Sequence, residues 1–222
     1  MAENKKDQVL VFLKPDCTMR RPVSAKILKE FVENDFKIRA FKEVKVNRAL
    51  AEQHYQEHKG KFFYPWLVKM ITLSPVIAMI IEDTPNRIRE FIGNTFCHEA
   101  EKGTIRGEYG IWGGVNSVHA SDSYKSARRE LNLWKEFVNL VPSQSDVVKE
   151  INNYIKKWDN KIESDLKEIR NICENIKALP EKVDEFKEKL RENLIKDCKK
   201  SEKKIKKSID KFVNTIVENC LL

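Results

Sequence analysis

No stretch of the 222-residue sequence approaches about 18 consecutive apolar residues, so nothing in it reads as a membrane-spanning helix. The opening MAENKKDQ is too polar for a signal peptide. Cys17, Cys97, Cys173, Cys198 and Cys220 are odd in number, widely spread and form no C-x-x-C pair, which suits reduced thiols in a cytoplasmic protein. Glycine is scarce, and no segment matches the phosphate loop G-x-x-x-x-G-K-[ST] or the glycine-rich turn of dinucleotide-binding folds. Any nucleotide bound here must be gripped by side chains. The cluster GIWGG (110 to 114) reads as a turn.

What the chain has in excess is charge. Charged residues make up 34% of it, above the roughly 25% of an average globular protein, which points to long solvated helices. The net charge of +8 suits a protein that handles anions: nucleotides, nucleic acid or acidic headgroups.

Two textures divide the sequence. Up to about Val141, short apolar runs bounded by turn residues, QVLVFL (8 to 13) and PVIAMIIE (75 to 82), read as central strands. The alternating FKIRAFKEVKV (36 to 46) reads as a half-buried antiparallel strand. Helical spacing appears in VSAKILKEFVEN, ALAEQHYQEH, NRIREFIG and YKSARRELNLW, and a last short strand carries NSVHAS. The alternation predicts an α+β domain over residues 1–141, with a four-stranded sheet and packed helices. PSQSD (142–146) is the expected linker, with Ser145 or Asp146 as helix cap.

Over 147–222 apolar residues recur three or four apart, from Ile151 to Leu179 and again from Val183 to Ile216. Pro180 interrupts the seam, so the expectation is two long helices folded as an antiparallel hairpin or coiled-coil extension. The segment 196–211 holds eight basic and three acidic residues. It reads as a solvated face, or as a surface for a protein, nucleic-acid or acidic partner; the absence of aromatics before Phe212 argues against base stacking. Deleting the tail is expected to change assembly or solubility more than chemistry.

Several residues can carry chemistry. HYQEH (54 to 58) formally matches the H-x-x-E-H zinc signature, with His54 and His58 one helical turn apart and Glu57 as base. Lys14 closes an apolar strand, Arg106 sits in the glycine-flanked turn GTIRGE, and Arg89 begins a turn leading to Thr95. His119 lies among the small residues Ser117, Ala120 and Ser121. A neutral imidazole can attack phosphorus without prior deprotonation, a carboxylate such as Glu130 can hold its tautomer, and the cations can offset transition-state charge.

In order and at nearly the same spacing, KPD, HYQEHKGKFFY, SPVIAMIIE, GTIRGEYG and NSVHASDSYKSARREL resemble the successive blocks of nucleoside diphosphate kinases, over about residues 7–140. The resemblance implies a ferredoxin-like antiparallel sheet, a hexamer or tetramer, and ping-pong transfer of γ-phosphate from an NTP such as ATP to an NDP through phosphohistidine at His119. It also implies that HYQEH is a family segment rather than a zinc site. Glu130 and Ser121 would orient the histidine. Lys14, Tyr55, Arg89, Thr95 and Arg106 would hold the phosphates, with Lys14 also reaching the ribose. Asn116 would bind a sugar hydroxyl and Phe63 would stack on the base. Magnesium would be held by nucleotide phosphates and water rather than by protein ligands. The sequence departs from the family pattern at Ala120, where glycine usually follows the nucleophile, at Val115 in place of arginine, at Arg21 and Ser24 in place of loop glycines, and in NTFCHEAEKG, which lacks the family's Asn-Pro in the loop used for subunit contact. The competing expectation, drawn from these departures, is a catalytically weak nucleotide-binding scaffold whose helical tail engages a partner.

Overall fold

In the computed structural model, which describes residues 7–198 and 208–222, four strands form one antiparallel sheet in the order β2-β3-β1-β4. They are β1 (Gln8–Leu13), β2 (Ile38–Val44), β3 (Val76–Glu82) and β4 (Val118–Ala120). β1 runs between β3 and β4, with Val11 opposite Met79 on one side and Ala120 on the other. The expected strand at 36 to 46 is shorter by two residues at each end, and its register with β3 shifts between Ile38 and Ala40.

Successive residues of a strand face opposite sides of the sheet, and here both sides are covered. Val9, Val11, Leu13, Ile77, Met79 and Ile81 pack with α2 (Arg21–Glu33), α5 (Pro85–Ile92) and α6 (Ile105–Tyr109). Leu10, Phe12, Val76, Ala78 and Ile80 pack with α3 (Arg48–His54), α4 (Tyr64–Thr72) and α7 (Tyr124–Val138). This is why β1 and β3 are nearly continuous apolar runs. A single turn, α1 (Pro15–Thr18), follows β1.

The C-terminal region departs from two long helices. The described residues form α8 (Val147–Trp158), α9 (Leu166–Ala178), α10 (Val183–Cys198) and α11 (Ile209–Leu221). Asp146 caps α8 by accepting from Lys149 N at 3.0 Å, as the linker reading anticipates. The first expected helix breaks at 159–165 because DNKIESD supplies capping groups in place of helix-interior residues. Asp165 accepts from the amides of Lys167 and Glu168 and starts α9. Most of the basic run 196–211, and the seam residue Ile205, lie outside the described residues.

These helices lie on the kinase-like half instead of projecting from it. Val147 and Ile151 of α8 enter the core beneath α2, while α9, α10 and α11 form a second core with Trp66, Met70, Ile111 and Val115. Two departures in the first loop explain the docking. The Arg21 guanidinium grips Glu43 through two bonds, at 2.6 and 3.0 Å, and also donates to the Tyr154 hydroxyl of α8 at 3.0 Å. The Ser24 hydroxyl lies 2.7 Å from the same Tyr154 oxygen. Arg20, equally buried, pairs with Asp197 of α10 at 3.3 Å. Val115 is fully buried under the same helices, where a basic chain would lose its solvent.

Candidate active site

His119 reaches its position through a short strand pinned at its start. Ser117, which precedes β4 by one residue, has φ of +71°, a left-handed turn uncommon for residues other than glycine. The buried Asp16 carboxylate accepts from Ser117 N at 2.9 Å, and Ser117 O accepts from Lys14 N at 2.8 Å. The entry to β4 is thereby tied to the end of β1. In the sheet His119 pairs with Phe12, and the two rings stack with centroids 4.6 Å apart.

One nitrogen of the imidazole is committed. His119 Nε2 lies 2.8 Å from Glu130 Oε2 on α7, and the Ser121 hydroxyl donates to that same oxygen at 2.8 Å. Nδ1 has no hydrogen-bond partner among the described residues. Burial by itself would raise the Glu130 carboxyl, but His119 beside it and the bonds it accepts bring it down to about 2.

Around the ring lies a cleft of about 220 Å³, lined by eight of the expected residues: Lys14, Tyr55, Arg89, Thr95, Arg106, Asn116, His119 and Glu130. Lys14 donates to Asn116 Oδ1 at 2.6 Å and to Gly114 O at 3.2 Å. Burial, with Arg106 nearby, lowers its pKa to about 8. Arg106 is held by the carbonyls of Gly93 and Val118 at 3.0 and 2.9 Å, and burial, with Arg89 nearby, lowers it to about 10. Burial first, then the Glu130 carboxylate, pushes the Tyr55 phenol well up, so it stays a donor. Asn116 donates to Thr95 O at 2.7 Å, linking the loop before α6 to the turn before β4.

Two expected residues stand outside the lining. Ser121 is buried behind Glu130, and Phe63 packs against His58 and Lys61 beside the cleft. The sequence reading missed Arg129, which bonds Glu130 and the His54 carbonyl, and Asp122, whose carboxylate accepts from Ser126 Oγ at 2.6 Å. Their only sequence signal is proximity to His119 and Glu130.

HYQEH does not form a helical zinc face. α3 ends at His54, and His58 follows on a separate 3-10 turn. His54 is buried edge-on to His119 at 4.7 Å, accepts from Trp134 Nε1 at 3.4 Å, and has its pKa lowered to about 3 by burial and by His119. Among the described residues the grouping that could offer three metal ligands is His54, His119 and Glu130, where the last two are already bonded to each other. Ala120 borders the cleft next to His119. Its methyl joins the core on the face opposite the one where His119 stacks on Phe12.

Fold and cleft together define an α+β protein that presents one oriented imidazole to a pocket lined by Lys14, Arg89 and Arg106. A family model described as Nucleoside diphosphate kinase matches residues 7–140. The chain is 43% identical over 130 residues to a nucleoside diphosphate kinase of Clostridium perfringens, covering 58% of this chain and 90% of that one. It is 45% identical to that of Methanothermobacter thermautotrophicus, over 58% of this chain and 86% of the relative. Among solved structures, a halophilic nucleoside diphosphate kinase from Halobacterium salinarum in complex with CDP aligns with a TM-score of 0.58 at 31% identity, covering 66% of this chain and 98% of that one. The chain belongs to the nucleoside diphosphate kinase family. Residues 116–222 are similar to a second model, described as Cancer susceptibility candidate 1 N-terminus.

Proposed function

We propose that this nucleoside diphosphate kinase works in two half-reactions through His119 Nδ1. A carboxylate at Nε2 places the ring proton there, which leaves the Nδ1 lone pair facing the cleft. The lone pair forms a bond to the γ-phosphorus of an NTP such as ATP, the bond to the bridging oxygen breaks, and the NDP leaves with that electron pair. A second NDP reverses the sequence. The hydrogen bond between His119 and Glu130, with Nδ1 left over beside buried cations, is the observation that carries this reading.

Lys14, Arg89 and Arg106 would meet the phosphates, with Tyr55 and Thr95 as neutral donors. Asn116 would take a sugar hydroxyl, Lys14 would also reach the ribose, and Phe63, beside His58, would stack on the base. The family uses a divalent metal, and we assign it as Mg²⁺, which would be held through the nucleotide rather than by protein ligands and would offset phosphate charge. The residues fit that arrangement: Asp122 and Glu57 line the cleft singly, among several cations, and form no carboxylate cage. As in the family, an oligomer is expected, and a hexamer or tetramer is the proposed form. Among the described residues no helix is long and apolar enough to cross a membrane; a cytoplasmic location is part of the proposal. So is the boundary at 142–146, although the second family model begins at residue 116, inside the first, and the two halves share a core through Val147 and Ile151.

The scaffold alternative loses part of its support, because the Ala120 methyl packs in the core of the opposite sheet face, while the altered loops still stand. Incubation with γ-labelled ATP and magnesium is expected to give acid-labile, base-stable label on His119, discharged by GDP or CDP and absent from His119→Gln. Folded wild-type protein that binds ATP yet takes no label would sink the kinase mechanism and favour the scaffold.

A further inference from the structure

Beyond the cleft itself, two residues of the C-terminal helices reach the backbone that shapes it. The Arg170 guanidinium of α9 lies over the end of α6, the five-residue helix that carries Arg106. Its Nη2 lies 2.7 Å from Gly110 O, 2.9 Å from Gly107 O and 3.2 Å from Arg106 O, carbonyls that share its two N–H groups, and Nε donates to Gly110 O at 3.2 Å. Arg106 O already accepts from Gly110 N, while the carbonyls beyond it lack an intrahelical partner and carry partial negative charge, so a guanidinium suits them. So short a helix has little stability of its own, and Arg170 supplies its C-terminal closure.

The second contact is made by Asn219 of α11. Its Oδ1 accepts from Gly114 N at 2.9 Å, and the carbonyl of the same Gly114 accepts from Lys14 Nζ at 3.2 Å. The turn at 110–114 is gripped tightly there. A Cβ on Gly113, whose φ is +50°, would come within 2.6 Å of Asn219 Oδ1, and one on Gly114 within 2.8 Å of the Trp66 ring. Trp66 in turn donates to Thr215 O of α11 at 2.8 Å. A glycine turn with this much intrinsic freedom holds one shape because α4 and α11 close on it.

We propose that the C-terminal helices form the cis-acting brace of the phosphate site, in which Arg170 and Asn219 are positioning residues. Arg170 holds the helix that aims Arg106; Asn219 holds the turn against which Lys14 rests. The proposal rests on the reading of the cleft as a phosphate site, and it runs against the expectation that deleting the tail changes assembly or solubility more than chemistry.

The test uses full-length protein with Asn219→Ala, Asn219→Asp, Arg170→Met, Arg170→Lys and a control, Leu190→Ala, which opens a cavity in the same bundle away from the cleft. Equilibrium affinity for Mg·ADP and, in parallel, the KM and kcat of phosphoryl transfer are measured alongside Tm. Losing one of these bonds is expected to weaken Mg·ADP binding about tenfold, with KM rising more than kcat falls for Asn219→Ala. Asn219→Asp, which keeps the acceptor, and Arg170→Lys, which keeps the charge and some donors, should recover part of that loss. Leu190→Ala should lower Tm while affinity stays within about twofold of wild type. Unchanged affinity in folded Asn219→Ala and Arg170→Met, or an equal loss in Leu190→Ala, would overturn the brace. The binding arm reads out even if His119 takes no phosphoryl group, so failure of the kinase mechanism and failure of the brace remain distinct results.

Discussion

His119 offers one nitrogen because Glu130 holds the other, and Glu130 stays ionised because His119 and Ser121 both donate to a single oxygen of it. Replacing Glu130 by Gln keeps the shape but removes the charge that selects the tautomer. Single-turnover phosphorylation of Glu130→Gln is expected to slow about a hundredfold or more, as measured by rapid quench, with nucleotide affinity little changed. Lys14 sets a limit from the alkaline side. With its pKa lowered to about 8, it is an ammonium below that pH and an amine above, and only the ammonium attracts phosphate. The affinity of the free enzyme for ADP should therefore fall as pH rises through 8, as followed by calorimetric titration. Lys14→Arg, permanently charged, should remove that limb even where it binds more weakly overall.

Between elements, the most consequential polar contact is the one joining the loop before α2 to the end of α10. Asp197 accepts from Arg20 Nε, from the amides of Glu163 at 2.7 Å and Ser164 at 3.1 Å, and from the Ser164 hydroxyl. Both members of the ion pair are buried, so truncating one leaves a charge without compensation. Asp197→Ala is expected to cost about 3–5 kcal/mol in urea unfolding, well above the roughly 1 kcal/mol typical of a point substitution. A cost near zero would mean that water replaces the carboxylate.

Across the whole molecule, the kinase half and the C-terminal helices share their cores through Val147, Ile151, Trp66 and Val115, and one cooperative unfolding transition is expected from calorimetry and circular dichroism alike. Acid should weaken that transition in two stages. His54, ordinarily near 6.5 and held at about 3, resists protonation when folded, so the unfolded chain binds the extra proton and stability falls as pH drops from 6.5 toward 3. Glu130, ordinarily 4.5 and held at about 2, adds a further loss as pH falls from 4.5 toward 2. Tm should decline below pH 6.5 and more steeply below 4.5. His54→Gln, which keeps an acceptor for Trp134, should flatten the first stage.

Local chemistry and periodicity by themselves determined the strands β1 and β3 and offered Asp146 as a helix cap, because each depends on neighbours a few positions away; the resemblance to family motifs marked eight residues of the cleft but not Arg129 or Asp122. The break at 159–165 was also written locally, in Asp165 followed by a segment with apolar residues three or four apart, but the regular seam on either side concealed it. Arg21, Ser24 and Val115 looked like losses from a family pattern, and Arg20 drew no notice. Only the tertiary structure decided that Arg21 and Ser24 meet Tyr154, Arg20 meets Asp197 and Val115 meets the α9–α11 core, partners more than 50 residues away. Nor could periodicity separate Arg170 and Asn219 from the solvated residues around them. Their roles depend on which carbonyl and which amide the folded chain brings within hydrogen-bonding distance, and that is settled by packing between distant segments.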